Sequence, residues 1–202
     1  MIIPMRASHL PRILSRSRLM FALSFLTAFL AAVCAYADSR PAGQMKIEDV
    51  VKILRFQKAP TPADLARAGE DVDRVLVDLM IAKSVDLEIR LKAAKALGSY
   101  PGRRSQAVLS AIIPSRQEPS ALRAAAMVAL ARVSGASAVD ELRFWLKDDD
   151  AALRIGAAQA LAVVADMRAC GLLGEALEHE EVLDVRLIID EGTKACRKGG
   201  NP

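Results

Sequence analysis

Aromatic residues make up only 4% of the 202-residue chain, with a single Trp, although 52% of the residues are hydrophobic. An apolar fraction built from Ala, Leu, Val and Ile suits closely approaching helices and argues against a β-sandwich, so the sequence predicts an all-α fold. Histidine is scarcer still, with His9 and His179 alone. Ser-His-Asp or Cys-His catalysis would have to use His179 as its base, and a transition-metal site would have to find every other ligand elsewhere. An excess of one charge is also missing from the body of the chain. The 28 Lys and Arg outnumber the 24 Asp and Glu, but Arg6, Arg12, Arg16 and Arg18 all precede the first acid, Asp38. From Asp38 onward the signs balance. That removes the counterion-release contribution behind most nucleic-acid binding, so no nucleic-acid partner is expected.

What the N-terminus does contain is that basic stretch, followed by an apolar run from Leu19 to Ala37. Residues 1–37 read as a signal peptide, with Ala35-Tyr36-Ala37 supplying the small residues of a cleavage site. The alternative is an uncut anchor, which would be the chain's one contact with a membrane. A lipoprotein reading of Cys34 meets Val33, where a lipobox carries Gly, Ala or Ser. Residues 38–45 read as a flexible linker. Export would place the remaining cysteines, Cys170 and Cys196, in an oxidising compartment.

Four segments align on an arginine: LEIRLKAAKALG around Arg90, SALRAAAMVALA around Arg123, AALRIGAAQALA around Arg154 and LDVRLIIDEGTK around Arg186. Their spacings of 33, 31 and 32 residues mark a solenoid, whose units bury their apolar faces only against neighbours. In the first three units small or apolar residues stand three, four, six and seven places after the arginine, as Ala93, Ala94, Ala96 and Leu97 do. That spacing is helical. A second apolar pair follows, Leu109 and Ile113, Leu142 and Leu146, Leu173 and Leu177, and predicts a second helix in each unit. Gly98, Pro101 and Gly102 separate the helices of one unit, and Ser134 to Ser137 those of the next. Asp148 to Asp150 read as a cap for the helix of Arg154. Around Arg186 the places held by Ala elsewhere become Ile189, Asp190 and Gly192, so this last helix is expected to face solvent and close the stack. Residues 46–83 lack the motif and read as a degenerate N-terminal helix pair, 47–56 and 63–81, split by Pro60 and Pro62.

The acidic turn, the Val/Leu-Arg pair and the Ala-x-x-x-Leu-Gly helix resemble the HEAT-like repeats of phycobilisome lyases, over residues 84–196. The resemblance implies a right-handed α-solenoid of antiparallel helix pairs, spanning 84–198 with its C-terminal cap helix. Its functional message is thin, because the family ranges from lyase subunits to pure scaffolds.

In such a solenoid Arg90, Arg123, Arg154 and Arg186 read as structural residues that bond turn carbonyls or acids such as Asp86 and Asp150, rather than as an anion ladder. Phe144 and Trp145 fall on the second helix of a central unit, the kind of helix that lines the concave face of HEAT arrays. Trp145 is the first candidate for a partner-binding hot spot, with Phe144, Arg143 and Lys147 beside it. Core packing competes for Trp145, which stands where Ile112 and Ala176 stand in other units. His179 and Glu180 form one His-Glu pair, whereas HEAT-repeat hydroxylases assemble a di-iron site from several, so His179 reads as a solvated turn residue. Cys170 and Cys196 fall on one edge of the solenoid in neighbouring units. A disulfide tying cap to body stands there beside the alternative of two buried thiols.

The expected function is that of a periplasmic or secreted scaffold that docks a protein partner on its concave face, without a cofactor, a metal or catalysis. Two alternatives stand beside it. One is a lyase or lyase-like subunit binding a tetrapyrrole, implied by the resemblance alone; the other is a structural accessory subunit of an envelope complex.

Overall fold

The computed structural model describes residues 47–56, 60–69 and 71–199, without the side chains beyond Cys196. The expected leader with its cleavage point and the linker, residues 1–45, lie outside the described residues. Every regular element among those described is helical, and the arginine-marked units form an α-solenoid.

The first elements are α1 (Ile47–Phe56), α2 (Pro62–Ala66) and α3 (Val72–Ile81). The expected single helix over 63–81 is thus two helices. Gly69 at φ 131° and Asp71 at φ 60° put two left-handed residues in its middle, a backbone that ends a right-handed helix. Thr61 starts α2 with a capping box shared with Asp64, and Pro62 at the first helical position adds no unsatisfied N–H.

The first full unit pairs α4 (Leu87–Leu97) with α5 (Arg103–Ile112). In the second, α6 (Ser120–Ser134) is followed by a 3-10 turn Gly135–Ala138, α7 (Val139–Leu142) and a 3-10 segment Arg143–Lys147. The expected second helix of this unit is therefore only one α-turn between tighter windings. The third unit pairs α8 (Ala151–Val164) with α9 (Met167–His179), and α10 (Leu183–Gly199) follows. Repeat-equivalent positions share one burial: Ala93, Ala126 and Ala157 are fully buried, as are Leu109, Leu142 and Leu173. The three aspartates open α8 as expected, with Asp150 accepting from Ala152 N–H and Asp148 accepting from Asp150 N–H.

First helices stack on first helices, and each junction sets one glycine against one alanine. Gly98 faces Ala129, Gly156 faces Ala124, and Gly192 faces Ala162. Gly192 and the fully buried Ile189 thus pack inward, against the expectation that they face solvent. The solvent-facing ridge of α10 is polar through Asp190, exposed Glu191 and Lys194; Asp190 stands where buried Met127 stands in α6, and it pairs with Lys194. Alternation of ridges explains the difference: one side of each first helix meets the preceding unit and the other the following one.

A β-carbon at Gly156 would lie 2.6 Å from Ala124 Cβ and 2.7 Å from its Cα. Part of this obstacle is backbone, which gives way less readily than a flexible side chain. Gly156→Ala is expected to destabilise by about 1–2 kcal/mol, the helix-propensity gain of about 1 kcal/mol being outweighed by overpacking of about 1–3 kcal/mol. Gly174 on α9 has nothing within 4 Å of that position. Gly174→Ala should therefore stabilise by up to about 1 kcal/mol. Urea denaturation of the two variants should show shifts of opposite sign.

Candidate functional site

The four arginines are tied to the turns that join units, and two of them reach acids other than the expected Asp86 and Asp150. Arg90 donates from Nε to the Met80 carbonyl at 2.8 Å and from a terminal nitrogen to Glu118, both side chains only 7% exposed. Arg123 donates from Nε to the Ile113 carbonyl at 2.7 Å, repeating the ten-residue step of Arg90. Its guanidinium lies 5.0 Å from the Trp145 ring centroid, a cation–π contact. Arg154 grips Glu180 through Nε at 2.8 Å and a second nitrogen at 3.0 Å, and donates to the Asp148 and Asp149 carbonyls. Arg186 donates to the Glu180 carbonyl at 3.1 Å.

The acids reached are Glu118 and Glu180, where Asp86 and Asp150 were expected. Asp150 is occupied as the α8 cap and as the acceptor for the Ser120 hydroxyl. Glu118 and Glu180 each sit in the turn that opens the following unit, close enough in sequence to its arginine to belong to the acidic-turn pattern. That alignment was the signal that could have found them.

Hydrogen bonds from Arg154 hold the Glu180 carboxyl below its ordinary pKa, and the Ser120 hydroxyl does the same for Asp150. A carboxylate with a lowered folded-state pKa stabilises the fold above its unfolded value. The contribution is lost as pH falls through the folded value. Stability should therefore hold steady down to about pH 5 and decline once pH drops below roughly 4. Urea unfolding across that range is expected to show a shallower decline in Glu180→Gln, which has no proton to gain.

Between the second helices of adjacent units lies an open groove of about 1100 Å³. One wall is the 3-10 segment with Arg143, Phe144 and Lys147; the other is α9 with Leu172, Glu175 and Ala176. The turns around Asp149 and Glu181 close one end. Phe144 stands 67% exposed, with the Arg143 guanidinium 4.8 Å from its ring centroid. Three of the four expected partner-face residues thus line the groove. Trp145 does not: it is half-buried against the core, under Arg123. His179, expected in a turn, is an exposed residue at the end of α9 and lines the groove beside Glu180. Among the described residues no group of three or more His, Cys, Asp or Glu side chains is placed to hold a metal ion.

On the opposite edge Cys170 of α9 and Cys196 of α10 are joined by a disulfide, with Cα atoms 5.6 Å apart. The pairing left open by the sequence is thus made. It holds the last helix against the third unit.

No curated protein matches the chain. Residues 115–190, from the turn before α6 into α10, match the family described as HEAT repeats. Such repeats commonly serve as protein-interaction scaffolds, and the match takes in the arginine-marked units of Arg123 and Arg154 and the segment around Arg186.

Proposed function

We propose that the protein is an extracytoplasmic scaffold of right-handed, lyase-type HEAT repeats, which holds a protein partner on its concave face and catalyses no reaction. The observation that carries this reading is the groove between second helices, floored by apolar side chains and overhung by an exposed phenylalanine. A large exposed ring beside a concavity is the arrangement expected of a protein-docking surface, because it buries much area at little entropic cost. The basic-then-apolar stretch at residues 6–37 supports export, and the Cys170–Cys196 bond is of a kind that persists in oxidising compartments.

The test is a photo-crosslinking side chain in place of Phe144, irradiated in the native cell envelope. Adducts to one specific protein are expected. Adducts from the same probe at exposed Lys95 on α4, with none from position 144, would place the partner elsewhere and sink the reading.

A further inference from the structure

We infer that the groove takes a cationic, apolar segment of its partner, a stretch in which Lys or Arg is interspersed among large aliphatic or aromatic side chains. This inference rests on the groove being the docking surface. The apolar part follows from the anchors it offers. Phe144 overhangs it, Val182 is 44% exposed at its end, and Met167, 92% exposed, stands over a shallow extension that shares Arg143, Leu172 and Glu175 with the main groove. Leu146, Leu172 and Ala176 supply a floor. An occupant without apolar side chains would leave these surfaces facing polar groups.

The sign of the charge follows from which lining groups are already satisfied. Glu180 is neutralised by Arg154, and in the extension Asp140 is paired with Arg168. Asp148, Asp149, Glu175 and Glu181 line the groove outside any ion pair among the described residues. Against them stand Lys147 and Arg143, the latter lying over the Phe144 ring. Acids therefore outnumber bases among the unpaired lining groups, in a chain whose charges otherwise balance beyond its first residues. A cation entering beside Glu175 or Glu181 gains an opposite charge at a rim that is still wet, which steers approach and fixes orientation more than it adds affinity.

The probes are two synthetic peptides with the same Leu and Phe pattern, carrying Lys at every polar position in one and Glu in the other. Binding to the purified protein is read by fluorescence anisotropy, and its place by backbone amide shifts. The Lys peptide should bind about tenfold more tightly at low salt. It should shift the amides of Phe144, Glu175 and Val182, and its advantage should shrink as salt is raised. Phe144→Ala should weaken both peptides. The double variant E175K/E181K alters exposed side chains only and should reverse the preference. Equal binding of both peptides at the groove amides, or tighter binding of the Glu peptide, would overturn the charge inference and leave the groove standing. Binding that shifts only amides outside the groove would overturn the docking surface itself.

Discussion

Glu118→Ala is expected to lower unfolding free energy by about 3–5 kcal/mol, the usual cost of removing one partner from a buried ion pair. Arg90 stays where it is, because its Nε is held by the Met80 carbonyl, and its terminal nitrogen then faces the interior without a counter-charge. The pair belongs to two units, Arg90 to α4 and Glu118 to the turn before α6. Its loss should therefore loosen the coupling between them as well as weaken the fold, and a solenoid with a weakened junction unfolds less cooperatively. Urea titration checks both, through the midpoint and through the slope. The double variant Arg90→Leu with Glu118→Leu removes both charges and should recover most of the loss, since apolar replacement of a buried pair is often close to neutral. Neutralising the exposed pair Arg168–Asp140, whose side chains are 57% and 72% exposed, should cost under about 1 kcal/mol. A loss of that small size for Glu118→Ala would show that the Arg90 guanidinium finds water or another acceptor once its partner is gone.

The solenoid was legible because each unit repeats one arginine and one helical spacing. Ala93, Ala126 and Ala157 read as equivalent and are equally buried. What the pattern did not carry was winding. α6 runs 15 residues against 11 for α4, and this extra turn takes up the chain that would have linked it to its second helix. The chain turns at Gly135, with φ 54°, and continues as tight 3-10 winding on either side of a single α-turn. Successive residues of a 3-10 helix are set about 120° apart rather than about 100°. The repeat alignment nevertheless sorts the two rings: Trp145 stands where buried Ile112 stands in α5 and packs on the core, while Phe144 stands where exposed Ala111 stands and meets the groove. The N-terminal break was missed for a related reason. Gly69 was plain to see, but the left-handed conformation of Asp71 was not, since nothing in its side chain demands it.

The junction glycines illustrate a second limit. Glycine in a helix reads as a weakness, at a cost of about 1 kcal/mol against alanine. Gly156 and Gly174 are indistinguishable on that ground. Only the packing separates them, with Ala124 pressed against one and open space beside the other. The charge of the groove was hidden in the same way. Asp149, Glu175 and Glu181 are three of many acids in a balanced chain, and their local excess emerges only when Glu180 is found to be taken by Arg154.

Reduction of the Cys170–Cys196 bond is expected to cost about 3–4 kcal/mol, from a chain-entropy estimate for the 26-residue separation of its cysteines. The loss should be local. α10 packs on α8 and α9, burying Val185, Ile189, Gly192 and Cys196 on one side, while the other carries Asp190, Glu191 and Lys194. A helix with a single apolar face and only one neighbouring unit is the part of a solenoid with the least holding it. Hydrogen exchange of the reduced protein, or of the variant Cys170→Ser with Cys196→Ser, should show fast exchange through α10. The amides of α6 and α8, packed between first helices, should keep their protection. Loss of α10 would also remove the Arg186 hydrogen bond to Glu180 and uncover the Val182 end of the groove. Peptide binding should then fall in reducing buffer although Phe144 and Glu175 are untouched. Unchanged exchange in α10 on reduction would mean that the buried face of α10 holds it without the cross-link, and that the groove keeps its shape in either redox state.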